Sequence, residues 1–335
     1  MGGRPLRGTA DDGRWLVEPP PLPALRVGPV PARVGNVRVG TASWTERTLV
    51  ASGSFYPSTV ATPERRLRYY ARHFPVVEVD ATYYALPSAA NARAWVERTP
   101  LDFAFGVKAH AALSQHPLEP RRLDRDLQSS LPAALRTQRR LYPRELPTET
   151  LDEVWTRFAA GLAPLRAAGK LAYVLFQMPK WFPPTHGSLA YLEAIPTRLP
   201  GVTIAVEFRQ AGWMTEERAP RTLAFLRRHG FVYVSVDEPQ GTPASVPPVA
   251  ETTSEATSVV RFHGRRTATW DKPGVGTTER FGYLYREDEL RPWVPKIHAL
   301  ARGSRDVLVL MNNCNRHYAV QNAKELAGLL GTTVG

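Results

Sequence analysis

The sequence predicts a single α/β domain, a (β/α)8 barrel of the TIM type, with long insertions in the loops after its third, sixth and seventh strands. Eight short apolar runs recur along the chain, and seven of them are followed by a segment with helical spacing. Such alternation indicates a parallel sheet. Eight units in roughly 300 residues, with no Gly-rich nucleotide turn after any run, favour a closed barrel over an open doubly wound sheet.

Length and composition fit a folded protein with a large core. The chain has 335 residues, of which 43% are hydrophobic and 10% aromatic. No apolar run approaches the ~20 residues of a membrane-spanning helix, and the N-terminus lacks a signal-peptide core. The single cysteine, Cys314, excludes an internal disulfide framework and a multi-cysteine zinc site. We therefore expect a soluble cytoplasmic protein with no membrane partner, and its oligomeric state stays open.

The net charge of +12 would suit an anionic small molecule or a nucleic acid as partner. Only six of the 43 basic residues are lysine, however, and the chain has 31 prolines, a bias that GC-rich coding would also produce. The charge therefore supports an anionic partner in general terms and leaves a purely compositional origin open.

Two segments interrupt the regular alternation. Residues 1–35 are rich in Gly, Pro and Arg, contain PPPLP at 19–23 and show no periodicity, which predicts a flexible leader outside the barrel of residues 36–330. Residues 111–148 are long, polar and Arg-rich, and loops of this length are usually functional lids or disordered.

Each predicted strand is an apolar run that finishes in a polar residue. In FAFGVK, for example, the alternation places Phe105 on the outward face and Gly106 and Lys108 on the inward face. The predicted strands are Val37–Gly40, Val76–Asp80, Phe103–Lys108, Leu171–Gln177, Val202–Glu207, Phe231–Asp237, Ser258–His263 and Asp306–Asn312.

Helix signals lie between these strands. Pro63 suits a first helical turn, Ser88 suits an N-cap, and Gly169 and Gly230 suit helix ends. The predicted helices are Pro63–His73, Ser88–Arg98, Leu151–Ala168, Ser188–Leu199, Thr215–His229, Glu287–Arg302 and Tyr318–Leu330. The sixth strand leads instead into a loop rich in Pro, Thr and Ser at 238–257.

Polar side chains collect at the carboxyl ends of the strands, where barrel enzymes build their active sites. Buried without partners, each would cost several kcal/mol. We therefore predict that they share one polar mouth. The inward or terminal residues are Glu78, Asp80, Lys108, His110, Gln177, Glu207, Asp237, Arg261, His263, Asn312 and Asn313.

Two carboxylates end neighbouring strands, Glu207 on the fifth and Asp237 on the sixth. They suit a divalent cation, together with Glu78, or an acid–base pair. Arg209 follows closely and would alternatively neutralise them in a purely structural ion pair. The metal candidates are thus Glu78, Glu207 and Asp237, and no nucleotide-cofactor motif is present.

The segment RFHGRR at 261–266 follows the seventh strand, where barrels often bind phosphate. Arg261 and Arg265 would match phosphate oxygens, and the alternative is a solvated basic loop. Lys108 and His263 are predicted electrophilic or acid groups, although a lysine beside acids is also typical of a satisfied ion pair.

Uncharged groups at the mouth suit the orientation of a sugar or a nucleobase. Gln177 and Asn313 can both donate and accept hydrogen bonds, and His116 flanks the insertion. Aromatic side chains just past strand ends often stack on sugars or bases, although loop packing explains them equally well. These are Trp44, Trp181, Trp213 and Trp270.

Several spaced motifs resemble the YecE-like family, domain-of-unknown-function family 72. They are GTASW at 40–44, FYP at 55–57, RLRYYARHF at 66–74, VEVDATYY at 77–84, LFQMP at 175–179, EFR at 207–209, RFHGR at 261–265, and NN at 312–313 followed by AVQNA at 319–323. The resemblance implies a TIM-type barrel and no defined reaction. The family often has Asn or Thr at the position of Asp80, so the carboxylate pair at 78 and 80 is a departure.

From these patterns and from the resemblance, the predicted catalytic residues are Glu78, Lys108, Glu207, Asp237 and His263. The predicted substrate-binding residues are Tyr83, His116, Gln177, Arg209, Trp213, Arg261, Arg265 and Asn313.

The sequence favours an enzyme that acts on a phosphate-bearing or other anionic substrate, by phosphodiester or nucleic-acid hydrolysis. One alternative is a non-catalytic nucleic-acid-binding protein that uses the arginines of 121–144. Another is a sugar or sugar-phosphate isomerase or lyase with proton transfer by Lys108 and Glu207. A divalent metal cofactor is compatible with the first hypothesis.

Overall fold

Eight parallel strands close into a barrel in the computed structural model, which describes residues 32–332. Each strand pairs with the next, and β9 pairs with β2 from Val37–Val307 to Thr41–Met311, so the barrel sheet has no free edge. The predicted (β/α)8 barrel is confirmed. A short strand, β1 (Arg33–Val34), precedes it and pairs antiparallel with β2.

The ends of the barrel strands lie within two residues of the predicted positions. They are β2 Val37–Thr41, β3 Val76–Val79, β4 Ala104–Lys108, β5 Leu171–Gln177, β6 Ile204–Glu207, β7 Val232–Asp237, β8 Thr257–Phe262 and β9 Asp306–Met311.

The helices of the described chain cover the barrel and fill its loops. They are α1 Arg47–Ser52, α2 Pro63–Tyr70, α3 Ala89–Glu97, α4 Arg125–Ser130, α5 Ala133–Arg136, α6 Thr148–Ala167, α7 His186–Arg198, α8 Ala219–Arg228, α9 Thr267–Trp270, α10 Thr277–Arg280, α11 Glu287–Leu290, α12 Trp293–Gly303 and α13 Tyr318–Thr332. Short 3₁₀ turns occupy Ala81–Tyr83, Ala111–Ser114, Pro120–Arg122, Pro143–Glu145 and Ala211–Trp213. As predicted, a loop without a helix joins β7 to β8.

The predicted faces of β4 are confirmed by its packing. Phe105 points outward and stacks on Trp95 of α3, with ring centroids 6.1 Å apart. Gly106 points inward, and the ring of Tyr173 from β5 lies directly against it. A Cβ at position 106 would lie 2.3 Å from Tyr173 Cζ, so only glycine leaves room for this tyrosine inside the barrel.

Replacing Gly106 with alanine is therefore expected to destabilise the protein by about 1–3 kcal/mol, because the Tyr173 ring must move. Urea unfolding followed by circular dichroism measures the loss. Gly187→Ala is the matched control, since a Cβ there meets nothing within 4 Å. A midpoint for Gly106→Ala equal to that of the control would contradict the close contact.

Helix ends follow the local signals closely where a cap is present. Ser88 accepts a hydrogen bond from Asn91 N at 3.1 Å, as predicted for an N-cap. The prediction of a helix from Thr215 is wrong by four residues, because α8 begins at Ala219, directly before Pro220. Proline suits the first turn of a helix, so this boundary was readable in the sequence.

The Arg-rich insertion after β4 folds against the barrel. Leu118 and Leu141 exchange backbone hydrogen bonds of 2.8 and 2.9 Å, and these and other leucines join the core. Asp124 and Asp126 both bind Arg157 of α6. The buried leucines of the segment are Leu113, Leu118, Leu123, Leu127, Leu131, Leu141 and Leu146. The arginine content of this segment therefore did not indicate that its leucines pack into the core.

The predicted leader of residues 1–35 falls largely outside the described residues, which begin at residue 32. Within its last residues, Arg33 and Val34 already pair with β2, so regular structure starts before the predicted boundary at 36. Between residues 32 and 332, no helix has both the length and the apolar character that crossing a membrane requires.

Candidate active site at the carboxyl ends of the strands

One arginine joins opposite walls of the barrel. Arg261 of β8 donates from Nη1 to Glu207 Oε2 of β6 at 2.5 Å and from Nη2 to Glu78 Oε1 of β3 at 2.5 Å. All three side chains are 0% exposed. Because these strands are not neighbours, the contact passes through the barrel interior. The inward parity predicted for all three residues is therefore confirmed.

The two glutamates of this triad have different environments. Burial raises the pKa of Glu78, although Arg261 opposes the shift, and the Asp80 charge raises it further. Burial acts in the same direction on Glu207, but Arg261, His263 and Arg209 outweigh it and hold the Glu207 pKa well below its ordinary value. Glu207 is therefore the firmly ionised carboxylate of the pair.

Glu207 is saturated with donors. Gln177 Nε2 donates to its Oε1 at 2.6 Å, and His263 Nε2 lies 3.0 Å from the same oxygen. On the other ring nitrogen, Asn312 Nδ2 lies 2.9 Å from His263 Nδ1. This pattern fits a neutral imidazole that accepts at Nδ1 and donates at Nε2. Glu207 thus accepts bonds from several groups and is poorly placed to accept a proton from a substrate.

Glu78 and Asp80 have fewer partners. Tyr173 Oη donates to Glu78 Oε2 at 2.8 Å. Asp80 Oδ1 lies 3.9 Å from Arg261 Nη2, and within the described residues this buried oxygen accepts no hydrogen bond. The Asp80 side chain is 29% exposed, so the carboxylate stands between the buried triad and solvent.

Lys108 lies at the mouth above the triad. Its Nζ is 4.8 Å from the centroid of the Tyr83 ring, and no residue of the described chain accepts a hydrogen bond from it or lies in salt-bridge range. Burial lowers the pKa of Lys108, while Asp80 acts in the opposite direction. The prediction of a satisfied ion pair for Lys108 is therefore wrong, because the carboxylates below it are taken by Arg261.

Arg209 forms the other cationic wall of the mouth. Its guanidinium lies 4.2 Å from the Trp270 ring, 3.4 Å from Glu207 Oε1 and 3.6 Å from Glu238 Oε2. Burial raises the pKa of Glu238 to about 8, against the effect of Arg209. Glu238 is thus largely protonated at neutral pH, so the ionised partner of Arg209 is Glu207, which Arg209 shares with Arg261.

Comparison with known proteins agrees with this architecture. Residues 38–334 match the family described as "Protein of unknown function DUF72". The chain belongs to the DUF72 family. It is 33% identical over 297 residues to the UPF0759 protein YunF of Bacillus subtilis (strain 168), an alignment that covers 88% of this chain and 94% of YunF. The resemblance to the YecE-like family is therefore confirmed, since the two names denote the same family.

Solved structures of two DUF72 proteins share the fold. The crystal structure of a protein from Enterococcus faecalis V583 has a TM-score of 0.71 at 25% identity and covers 89% of this chain and 97% of its own. The crystal structure of a protein from Thermotoga maritima MSB8 has a TM-score of 0.68 at 29% identity and covers 88% and 98%.

Asp237 of this DUF72 protein does not join the triad. Arg261 is in register with Val236 and Phe262 with Asp237, so Asp237 shares the outward face of the barrel. There it accepts from Tyr285 Oη at 2.7 Å, Trp293 Nε1 at 2.6 Å and Arg265 Nε at 2.8 Å. The predicted inward position of Asp237 is wrong, because the valines of β7, which alternate with Tyr233, Ser235 and Asp237, point into the barrel.

Four predicted substrate-binding residues have structural partners instead, and the first is Arg261, whose guanidinium is taken by Glu78 and Glu207. Arg265 holds Asp237 with both Nε and Nη2. Trp213 is 1% exposed and stacks on Phe208 with centroids 4.3 Å apart. Asn313 Nδ2 donates to Tyr283 O and to Asn322 Oδ1, both at 2.8 Å. These contacts tie Arg265 to β7, Trp213 to Phe208 after β6, and Asn313 to α13.

The donor set does not fit a metal ion. Arg261 bridges Glu78 and Glu207, so a guanidinium occupies the space between the two carboxylates, and Asp237 lies on the other face. No group of three or more His, Cys, Asp or Glu side chains in residues 32–332 has a suitable arrangement. We therefore derive no step through a metal at these residues.

Sequence reasoning missed two contributors to the DUF72 mouth, Tyr173 and Glu238. Tyr173 lies mid-strand, and its only signal was the small Gly106 on the neighbouring strand, which leaves space for a large ring. Glu238 contacts Arg209 from a long loop, and loops carry no periodicity from which a direction follows. Trp270, predicted as an aromatic that could stack on a ligand, lies against Arg209.

The histidine in this network gives a pH prediction. Burial lowers the pKa of His263 to about 4 from 6.5, against the effect of Glu207. Between these values the unfolded chain binds a proton that the folded protein does not, so stability falls as pH falls. His263→Gln should flatten this slope by up to about 1.4 kcal/mol per pH unit.

Urea unfolding at several pH values between 4 and 6.5 measures the difference from the unchanged protein. His186→Gln, at an exposed position on α7, is the matched substitution with which the slope of His263→Gln is compared. An unchanged slope in His263→Gln would mean that His263 takes up its proton equally in both states.

Proposed function

We propose that this DUF72 protein is an enzyme that binds a phosphate-bearing, anionic substrate at the carboxyl ends of the strands. The observation that carries the proposal is the Lys108 amine, which lies at the mouth without an acceptor in the described chain. A cation held partly out of water is costly when no carboxylate lies within salt-bridge range of it, and Asp80, Glu78 and Glu207 act on Lys108 only at longer distance. A bound phosphate would supply a nearby counter-charge.

The charges around the mouth support an anion. Lys108 and Arg209 both act to lower the pKa of His116, so both cations lie near this ring. Burial is the main cause and brings that pKa to about 3, so His116 is neutral. The nearest accessible carboxylate is Asp80, since Glu207 is saturated below. An anion between Lys108 and Arg209 would therefore meet two cations and a neutral ring.

The geometry fits hydrolysis of a phosphodiester. Lys108 and Arg209 would stabilise the charge that develops on the phosphoryl oxygens. Asp80, whose Oδ1 has no donor among the described residues, is the group placed to accept a proton from the attacking water. Glu207 and His263 position Arg261 and Arg209 and take no direct part.

Proton transfer on a sugar phosphate is a second candidate, favoured by the lowered pKa of Lys108. A neutral lysine would act as the base of an isomerase or lyase. The two candidates differ in pH dependence. A charged Lys108 that binds phosphate loses its effect as pH rises through its folded pKa, whereas a neutral base gains activity over the same interval.

The test is turnover of bis(p-nitrophenyl) phosphate and of a panel of sugar phosphates by the full chain, with Lys108→Met beside it. Phosphodiester cleavage that Lys108→Met abolishes supports the proposal. Conversion of a sugar phosphate without phosphodiester cleavage favours the second candidate. Turnover equal in both proteins would exclude Lys108 from the reaction.

A further inference from the structure

Five rings line one side of the mouth, on the loops that follow β3, β4 and β5. We name them the aromatic rim: Tyr83, Tyr84, His116, Tyr142 and Trp181. Centroids of neighbouring rings lie 4.9 Å apart for Tyr83–Tyr84, 5.3 Å for Tyr83–His116, 5.7 Å for His116–Trp181 and 6.3 Å for Tyr142–Trp181. The rim begins at Tyr83, beside Lys108, and extends outward over the insertion.

Two side chains of the aromatic rim are exposed to solvent. Trp181 is 49% exposed and Tyr84 is 44% exposed, and the third large exposed apolar side chain of residues 32–332 is Leu101, near the amino end of β4. Both ring contacts of Trp181 are edge-to-face, at 73° and 77°. Trp213, by contrast, stacks nearly parallel on Phe208, at 13°. Among the described residues, Trp181 therefore has no stacked ring partner.

Cations accompany the rings. Lys108 lies 4.8 Å from the Tyr83 centroid, Arg122 5.3 Å from Tyr84, and Arg144 4.9 Å from Tyr142. Burial raises the pKa of Tyr83 and the charge of Arg140 opposes that shift, which places Arg140 beside the rim. Glu119 pairs with Arg122, whereas no carboxylate of the described chain pairs with Arg140 or Arg144.

We propose that the aromatic rim binds single-stranded nucleic acid and delivers one of its phosphodiesters to Lys108. In a single strand, unstacked bases can stack on exposed aromatic rings, and the phosphates between the bases can pair with cations that alternate with those rings. A duplex hides its base faces, and an acidic peptide, unlike a single strand, does not carry a flat ring beside every negative charge. The inference rests on the proposed function, since Lys108 is where the rim and the reaction site meet.

Fluorescence anisotropy of a labelled oligothymidylate of about 12 nucleotides, titrated with the full chain at low salt, tests the rim. Trp181→Ala should weaken binding about ten- to a hundredfold, and Trp181→Phe should recover much of the loss. Arg140→Ala should reduce the slope of log K against log salt by about 0.7. Leu101→Ala and Arg305→Ala, at exposed sites by the amino ends of the strands, should bind as the unchanged protein does.

Three results would overturn the inference: no binding at low salt, equal affinity for Trp181→Ala and Leu101→Ala, or a duplex of the same length bound as tightly as the single strand. Lys108→Met separates the two proposals. Oligonucleotide binding that depends on Trp181, without turnover in any variant, would support the binding role of the aromatic rim and contradict the proposed reaction. Lys108-dependent turnover without oligonucleotide binding removes the rim alone.

Discussion

Replacing Lys108 with methionine is expected to lower kcat/KM for a phosphodiester substrate by about a hundred- to a thousandfold. The amine lies beside Tyr83 at the mouth, and no residue of the described chain forms a hydrogen bond or a salt bridge with it. Methionine keeps the length of the side chain and its apolar contacts while it removes the charge. Steady-state turnover measures the effect.

The same substitution should stabilise the folded protein. Burial lowers the Lys108 pKa from 10.5, so the folded state carries a charge that it holds less readily than the unfolded chain does. The stabilisation should be complete at pH values below the folded pKa of Lys108 and should vanish as pH rises to about 10.5, where the unfolded lysine also loses its proton. Activity lost together with stability would instead indicate a structural lysine.

Lys272→Met is the matched control for both measurements. Lys272 is exposed on the loop after β8, so its replacement removes the same charge from the carboxyl end of the barrel without touching the site. Equal losses of turnover in the two variants would mean that only the general positive field of the protein matters.

Replacing Arg261 with methionine is expected to destabilise the protein by about 3–5 kcal/mol. The guanidinium is 0% exposed and neutralises two carboxylates that are also 0% exposed. Without it, Glu78 and Glu207 would face each other across the barrel with Asp80 near them. Urea unfolding, extrapolated to water, measures the loss.

A second substitution keeps this prediction testable if Arg261→Met fails to fold. Glu207→Gln preserves the shape of the side chain and removes one charge, and the double variant should be more stable than Arg261→Met alone because fewer charges stay unpaired. A loss below about 1 kcal/mol in Arg261→Met would contradict a dry, charged barrel centre. Restored stability at acidic pH would support it, because protonation removes the repulsion.

The barrel itself was predictable because its signals are local. Alternation along β4 placed Gly106 and Lys108 on the inner face, and the neighbouring Phe105 on the outer one, without any knowledge of other strands. The outward direction of Asp237 could also have been predicted from its own strand. Its strand reads Val-Tyr-Val-Ser-Val-Asp, and the regular valines indicate the face that turns inward.

The partners of each polar group were not predictable in this way. Arg261 meets Glu78 across 183 residues of chain and Glu207 across 54, and only the closure and register of the sheet bring these strands face to face. The insertion illustrates the same limit, since its leucines have no period until they pack on the barrel.

The amino-acid sequence alone thus determined that strands and helices alternate and that polar side chains gather at the carboxyl ends of the strands, since both follow from periodicity within a few residues. Only the tertiary structure decided which of them neutralise one another. Because Arg261 takes the buried glutamates, Lys108 stays without a partner at the mouth, and that difference depends on distances across the closed barrel.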